Sequence, residues 1–154
     1  MASKLDYLLS EEWNSKVKGL DLSTADESAL RYDAFMGDII FQIGDADFSL
    51  DWGWIPILDF AACLVNISDE ILRGSEYEAF DFTESDAEII FKCAEGNVIV
   101  SATYTDVKAS INISDLAELT HTFFRKVKEE LTLNYPEIGK NPAFRKIVEQ
   151  SSSS

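Results

Sequence analysis

The sequence predicts a single α+β domain: an antiparallel sheet, made of a hairpin and a four-strand meander, packed by two long helices, with an N-terminal helix and a short C-terminal helix. Three observations predict it. Apolar residues alternate with period two over short runs between positions 37 and 113, they recur at helical spacing over two longer runs, and no linker separates one core from another. The chain's 154 residues fall within the roughly 100 to 200 usual for one domain. With 46% hydrophobic and 12% aromatic residues it carries enough material for a core without staples. The domain is expected over 1–150, followed by a disordered serine tail over 151–154.

Ser3 and Asp6 form an S-x-x-D start, and Leu5, Leu8, Leu9, Trp13 and Val17 recur near a helical period until Gly19, which predicts a helix over 4–18. Residues 20–30 are polar and acidic without periodicity and read as a loop or a single turn. Runs 37–43 and 46–52 flank Gly44-Asp45, a pair of the type that closes hairpins. In the second run Ala46, Phe48, Leu50 and Trp52 share one face, and Asp45, Asp47, Ser49 and Asp51 share the other, because side chains alternate along a strand. One face is apolar and the other is an acidic row. Pro56 suits the first turn of a helix running to about Leu72, with Gly74 just past its end. Asp59, Asn66, Glu70 and Arg73 fall on one narrow stripe of that helix and read as an exposed polar seam, while apolar side chains cover the remainder.

Extended segments at 77–82, 86–94, 97–104 and 107–113 have the regular spacing of an antiparallel meander, with Gly96-Asn97 marking a tight turn. Ser114 is placed as the N-cap of a long helix whose apolar stripe is Leu116, Leu119, Phe123, Val127 and Leu131, and which ends before Tyr135-Pro136. Asn141-Pro142 opens a last short helix to about Gln150, and Ser151 to Ser154 are expected to bury nothing.

Charge and motifs remove most function classes. Against 28 acids the chain has 13 Lys and Arg, a net charge of -15, so tracking phosphates or an anionic membrane has no electrostatic basis. The first ten residues lack the apolar run of a secretory signal, which predicts a cytoplasmic protein. The stretch Trp52 to Ile67 is too interrupted by polar residues to span a membrane. Cys63 and Cys93, set among apolar neighbours, read as buried reduced thiols. The sole histidine, His121, falls on the flank of its helix with Arg125 and Lys128 and reads as a surface residue, with no nucleophile elbow or second histidine to accompany it. Asp45, Asp47 and Asp51 fit the start of a calcium loop, but Ser49, Leu50 and Pro56 stand where an acid or amide, Gly and Glu are required, so no metal is expected. No glycine pattern forms a phosphate cradle, and no cofactor is expected.

The uneven feature is where the charge lies. Residues 1–18 and 92–154 are each balanced, whereas 19–91 hold 17 acids against only Arg31 and Arg73. An acidic stretch keeps a protein soluble; it also suits docking to a basic partner, since complementary fields speed association and suppress wrong partners. Trp52, Trp54, Tyr77, Phe80 and Phe82 share the stretch, and Trp and Tyr are the types that anchor interfaces. Phe80 and Phe82 read as core. Trp52 and Trp54, on either side of Gly53 at a strand end, read as rim. Candidate partner contacts are therefore Asp45, Asp47, Asp51, Trp52, Trp54, Glu76 and Glu78.

The stretches Trp54 to Phe60 (WIPILDF), Thr83 to Phe91 (TESDAEIIF) and Tyr135 to Phe144 (YPEIGKNPAF) resemble a family of small, uncharacterised bacterial proteins. Over about residues 36–148 the chain is similar in size, acidity and layout to polymorphic-toxin immunity proteins, including those of contact-dependent inhibition systems. That resemblance implies a non-enzymatic protein that binds one cognate toxin in the cytoplasm and blocks it, often a basic nuclease whose substrate surface an acidic inhibitor covers. Two other readings stand beside it. A carboxylate-dependent hydrolase or small-ligand enzyme needs two acids facing each other in an enclosed pocket; an assembly or regulatory subunit would use the same acidic face.

Overall fold

The computed structural model describes residues 2–12, 20–82 and 85–152. They form an α+β fold of two four-stranded antiparallel sheets and four helices. The strands are β1 (Ser3–Leu9), β2 (Met36–Ile43), β3 (Ala46–Asp47), β4 (Leu50–Pro56), β5 (Tyr77–Asp81), β6 (Glu88–Ala94), β7 (Asn97–Ala102) and β8 (Thr105–Asn112). The helices are α1 (Glu27–Tyr32), α2 (Ile57–Leu72), α3 (Ile113–Asn134) and α4 (Pro142–Ser152), with a 3₁₀ turn over Pro136–Lys140.

In the first sheet β2 is central, pairing with β1 on one side and with β3 and β4 on the other. The chain enters as a strand where the periodicity predicts a helix. Leu5, Leu8 and Leu9 do have helical spacing, but all seven residues of β1 pair with β2, from Ser3 opposite Ile43 to Leu9 opposite Gly37. Only Leu5 and Tyr7 are buried, two apart, while Leu8 is left 61% exposed. An available sheet edge and a period-two burial pattern outweigh a weak helix signal. Further along the expected helix, Glu11 and Glu12 are helical, and 13–18 and its stop Gly19 lie outside the described residues.

The hairpin forms as expected at Gly44-Asp45. Ile43 pairs with Ala46, and Gly44 takes the positive φ of 58° that the first central residue of a two-residue type II′ turn requires. Within the stretch read as a loop, the Asp21 carboxylate accepts from the Ser23 amide and hydroxyl, and Asp26 caps the short α1 by accepting from the Ala29 amide. Helix α2 runs as expected from Pro56. Its end is a Schellman motif, in which the Ser75 amide donates to the Glu70 carbonyl, the Gly74 amide donates to that of Ile71, and Gly74 adopts a φ of 112°.

The meander β5-β6-β7-β8 is as the spacing predicts. Its tight turn is Glu95-Gly96, both at positive φ, so Asn97 is the first strand residue rather than part of the turn. Helix α3 begins one residue before the expected Ser114. Its cap is Asn112, whose side-chain oxygen accepts from the Ser114 amide. Asn141 caps α4 by accepting from the amides of Ala143 and Phe144, and its own amide group donates to the carbonyls of Leu22 and Ala25, pinning the 20–26 segment to the helix start. Helix α4 continues through Ser152, and Ser151 is buried, so the first serines of the expected tail are structured. Residues 153 and 154 lie outside the described residues.

Helices α2 and α3 pack along each other and hold the two sheets together, α2 against β2, β4 and β5, and α3 against β1, β7 and β8. The core between them includes Phe41, Phe48, Phe60, Phe91 and Phe123, all essentially inaccessible. No described helix is long and apolar enough to cross a membrane.

Candidate functional site

Two residues of β2, Gly37 and Ile39, pair with Ile55 and Leu50 of β4, so that 51–54 bulge out opposite the single residue Asp38. Gly53, at the centre of the bulge, has a φ of 77°, and its amide donates to Asp38 Oδ1 at 2.7 Å. A left-handed turn at this point suits glycine, which has no Cβ to clash. The bulge brings the indoles on either side of Gly53 into a stack, with centroids 4.7 Å apart and planes 15° from parallel.

The stack is rooted in the core on one side. Trp52 meets Phe82 and Tyr104 edge to face, and Phe82 continues to Phe60 and Phe80. Among the described residues Trp54 has ring contact with Trp52 alone, and both indoles remain half-buried. Tyr104, on the β7 to β8 turn, donates its hydroxyl to the Phe48 carbonyl at 2.6 Å and so ties the second sheet to the hairpin. Burial raises the Tyr104 pKa, and the neighbouring Asp47 carboxylate raises it further. The acidic row and the aromatic cluster therefore meet at Asp47 and Tyr104.

Asp45, Asp47 and Asp51 are exposed, with Ala46 and Phe48 buried behind them, but the expected strand over 46–52 is broken after Asp47: Asp45 belongs to the turn and Asp51 to the bulge, so alternation along one strand accounts for Asp47 alone. Hydrogen bonds from Ser49 hold the Asp47 carboxyl below the usual carboxylate range. Two further acids pair on the second sheet, away from this row. Asp81 and Glu88 lie opposite each other on β5 and β6, and the hydrogen bond and charge of Asp81 hold Glu88 above the usual range. The expected adjacency of segments 77–82 and 86–94 in the meander is the signal that pairs Asp81 with Glu88. Sequence reasoning missed Asp38 and Tyr104 as members of the surface around the row and the indoles.

Glu76 and Glu78 do not join that surface. They stand at the other end of β5, four to six residues before Phe82, a separation of about 13 to 20 Å along a strand. The Glu78 carboxylate accepts from the Ser75 hydroxyl at 2.6 Å, an arrangement local to the end of α2.

Several other expectations about single residues are corrected. Asp59 is no part of an exposed seam; it is buried and paired with Arg31 at 2.7 Å, because α1 covers the start of α2. His121 is half-buried, its Nε2 2.9 Å from Asp69 Oδ1 across the α2–α3 contact. The neighbouring hydroxyls of Ser68 and Thr120 bond to each other at 2.7 Å and to the carbonyls of Val65 and Ala117. Cys63 and Cys93 are free thiols, but half-buried rather than fully buried. Burial, then the Asp59 charge, pushes the Cys63 thiol up to about 12.

Clefts large enough for small molecules lie among the described residues, two of them beside titratable side chains. One of about 440 Å³ lies between the open ends of β2 and β8, where Asp115 and Glu118 share a wall on one turn of α3. The other, of about 400 Å³, is bordered by Arg31, Cys63 and Asn66. Among the described residues no three His, Cys, Asp or Glu side chains gather to hold a metal ion. No family model, curated protein or solved structure matches this chain.

Proposed function

We propose that this is a non-enzymatic binding protein, an immunity protein that neutralises a basic cognate toxin in the bacterial cytoplasm through the surface built on β3 and β4. The observation that carries this reading is the joining of an exposed acidic row, Asp45, Asp47 and Asp51, to a half-buried pair of stacked tryptophans. Stacked indoles fixed from behind supply rigid apolar area at small entropic cost, and the acids around them steer a cationic partner and resist wrong ones. The charge is concentrated where the aromatics are: residues 19–91 supply the whole net charge of -15.

The two clefts favour catalysis less. Asp115 and Glu118 sit on one helix turn, so they do not face each other across the cleft, as an acid and base pair acting on one bond must. The Cys63 thiol beside the other cleft stays protonated at neutral pH, which makes it a poor nucleophile.

The test is growth. The neighbouring reading frame is expected to encode a large secreted protein with a variable C-terminal domain, and that domain is the probe, expressed in bacteria with and without this chain. Growth arrest by the domain alone, relieved by co-expression, is the expected result. Arrest that persists while this protein is present in folded form overturns the reading.

A further inference from the structure

Resting on that reading, we infer that Trp54, stacked on Trp52 and standing beside Asp38, is the receptor for an arginine side chain of the partner.

Three features point to arginine. The first is the platform. Trp52 is held edge-on by Phe82 and Tyr104, with centroids 5.3 and 6.4 Å away, and Trp54 lies on it at 4.7 Å. The outer indole thus has a rigid backing and, among the described residues, lies at the end of the aromatic column, and indole is the aromatic ring that attracts cations most strongly. The second is the counter-charge. Asp38 Oδ1 is 2.7 Å from the amide of Gly53, the residue between the two indoles, so a half-buried carboxylate is locked at the foot of the stack. Asp51, exposed, immediately precedes Trp52. The third is shape. A guanidinium is planar, lies flat on an indole and reaches a carboxylate edge-on with its N–H groups, whereas an ammonium is a compact, strongly hydrated point charge that uses neither the plane nor the fork.

The bulge also explains why the site requires this local sequence. A regular strand would leave successive side chains on opposite faces and hold indoles two residues apart at the spacing of the pleat, roughly 7 Å, too far to stack. Looping 51–54 out against Asp38 closes that gap. Asp38 then serves both as the hydrogen-bond acceptor that shapes the bulge and as the charge beside the platform.

The experiment follows the three indole N–H signals, from Trp13, Trp52 and Trp54, in a ¹⁵N-labelled sample of the full chain during titration with tetra-arginine, tetra-lysine and tetra-citrulline peptides. The Trp54 signal is expected to shift furthest, with tetra-arginine; tetra-lysine should bind more weakly at this signal, and tetra-citrulline, which keeps the shape and loses the charge, should leave it in place. In Trp54→Leu the affinity for tetra-arginine should fall roughly two- to fivefold, the range an exposed cation–π contact supplies. Equal shifts with tetra-lysine, or a Trp54 signal that stays still while amides of the acidic row move, overturn the inference, because binding is then by charge alone. The citrulline control acts on the ligand and holds even if a variant unfolds. Growth rescue separates the two claims: a Trp54→Leu protein that still rescues, with no arginine response in the wild type, sinks the receptor and leaves the immunity reading standing. Failure of the wild-type protein to rescue, with its arginine response intact, does the reverse.

Discussion

Arg31 Nη1 lies 2.7 Å from Asp59 Oδ1, and this ion pair fastens the short helix α1 to the first turn of α2. Burial alone would lower the Arg31 pKa; the hydrogen bond and charge of Asp59 outweigh it and hold the guanidinium above its usual range. Arg31→Ala leaves a buried carboxylate uncompensated. The expected cost is about 3 kcal/mol, at the low end of the range for a buried pair because Arg31 keeps an exposed edge. Urea denaturation measures it. The double variant Arg31→Met with Asp59→Leu should recover most of the loss, since no charge is then stranded.

Gly37→Ala tests the strand pairing that replaces the expected N-terminal helix. A Cβ at Gly37 would stand 2.0 Å from the Leu8 carbonyl oxygen, which is backbone and cannot rotate away. Strands β1 and β2 must separate locally to admit it. A loss of about 3 to 5 kcal/mol is expected, in the tail reserved for strain at a packed backbone. Hydrogen exchange should show it first in the amides of 3–9. Unchanged protection there would mean that β1 is not paired in solution.

Asp38→Ala removes the acceptor that shapes the tryptophan bulge. The Gly53 amide loses its partner, at a cost of roughly 1 to 3 kcal/mol if it finds no water. The near-ultraviolet circular dichroism of the stacked indoles should weaken as the bulge relaxes. A spectrum unchanged from wild type would show that the stack stands without Asp38.

Alkaline pH should destabilise the fold in a predictable window. Burial, then Asp59, pushes Cys63 from its ordinary 9.0 to about 12. Burial also raises Tyr7, whose hydroxyl donates to Glu130, and Tyr104. Each group favours its neutral, protonated form in the folded chain, so its contribution is complete below the unfolded pKa and disappears as pH rises through the folded one. For Cys63 stability is therefore expected to hold up to about pH 9 and to decline from there to about pH 12. Cys63→Ala should flatten the first part of that decline in denaturation curves taken at stepped pH. At neutral pH alkylation of Cys63 should be slow.

On the proposed function, replacing Asp45, Asp47 and Asp51 together by Asn should slow association with a cationic toxin partner and flatten its dependence on salt, with folding intact because all three are exposed. Stopped-flow association rates at two ionic strengths decide it. Replacing Glu76 and Glu78 by Gln should do less, since those residues lie at the far end of β5. Unchanged kinetics in the triple variant would remove the acidic row from the interface.

The sequence by itself determined the α+β class, the hairpin at Gly44-Asp45, both long helices and the meander, because each rests on a local signal: a turn residue that tolerates positive φ, a cap, or an apolar period sustained over many residues. It also determined the alternation that turns Ala46 inward and Asp47 outward. What the tertiary structure decided is everything that needs a partner distant in sequence. Ser3 to Leu9 became a strand because β2 offered an edge, Asp59 was buried because α1 brought Arg31 over it, and His121 met Asp69 because two helices pack side by side. The stacking of Trp52 on Trp54 belongs to the same class. Their spacing reads as two side chains held apart on a pleated strand, and only the bulge against Asp38, a contact fixed by strand register, folds them together.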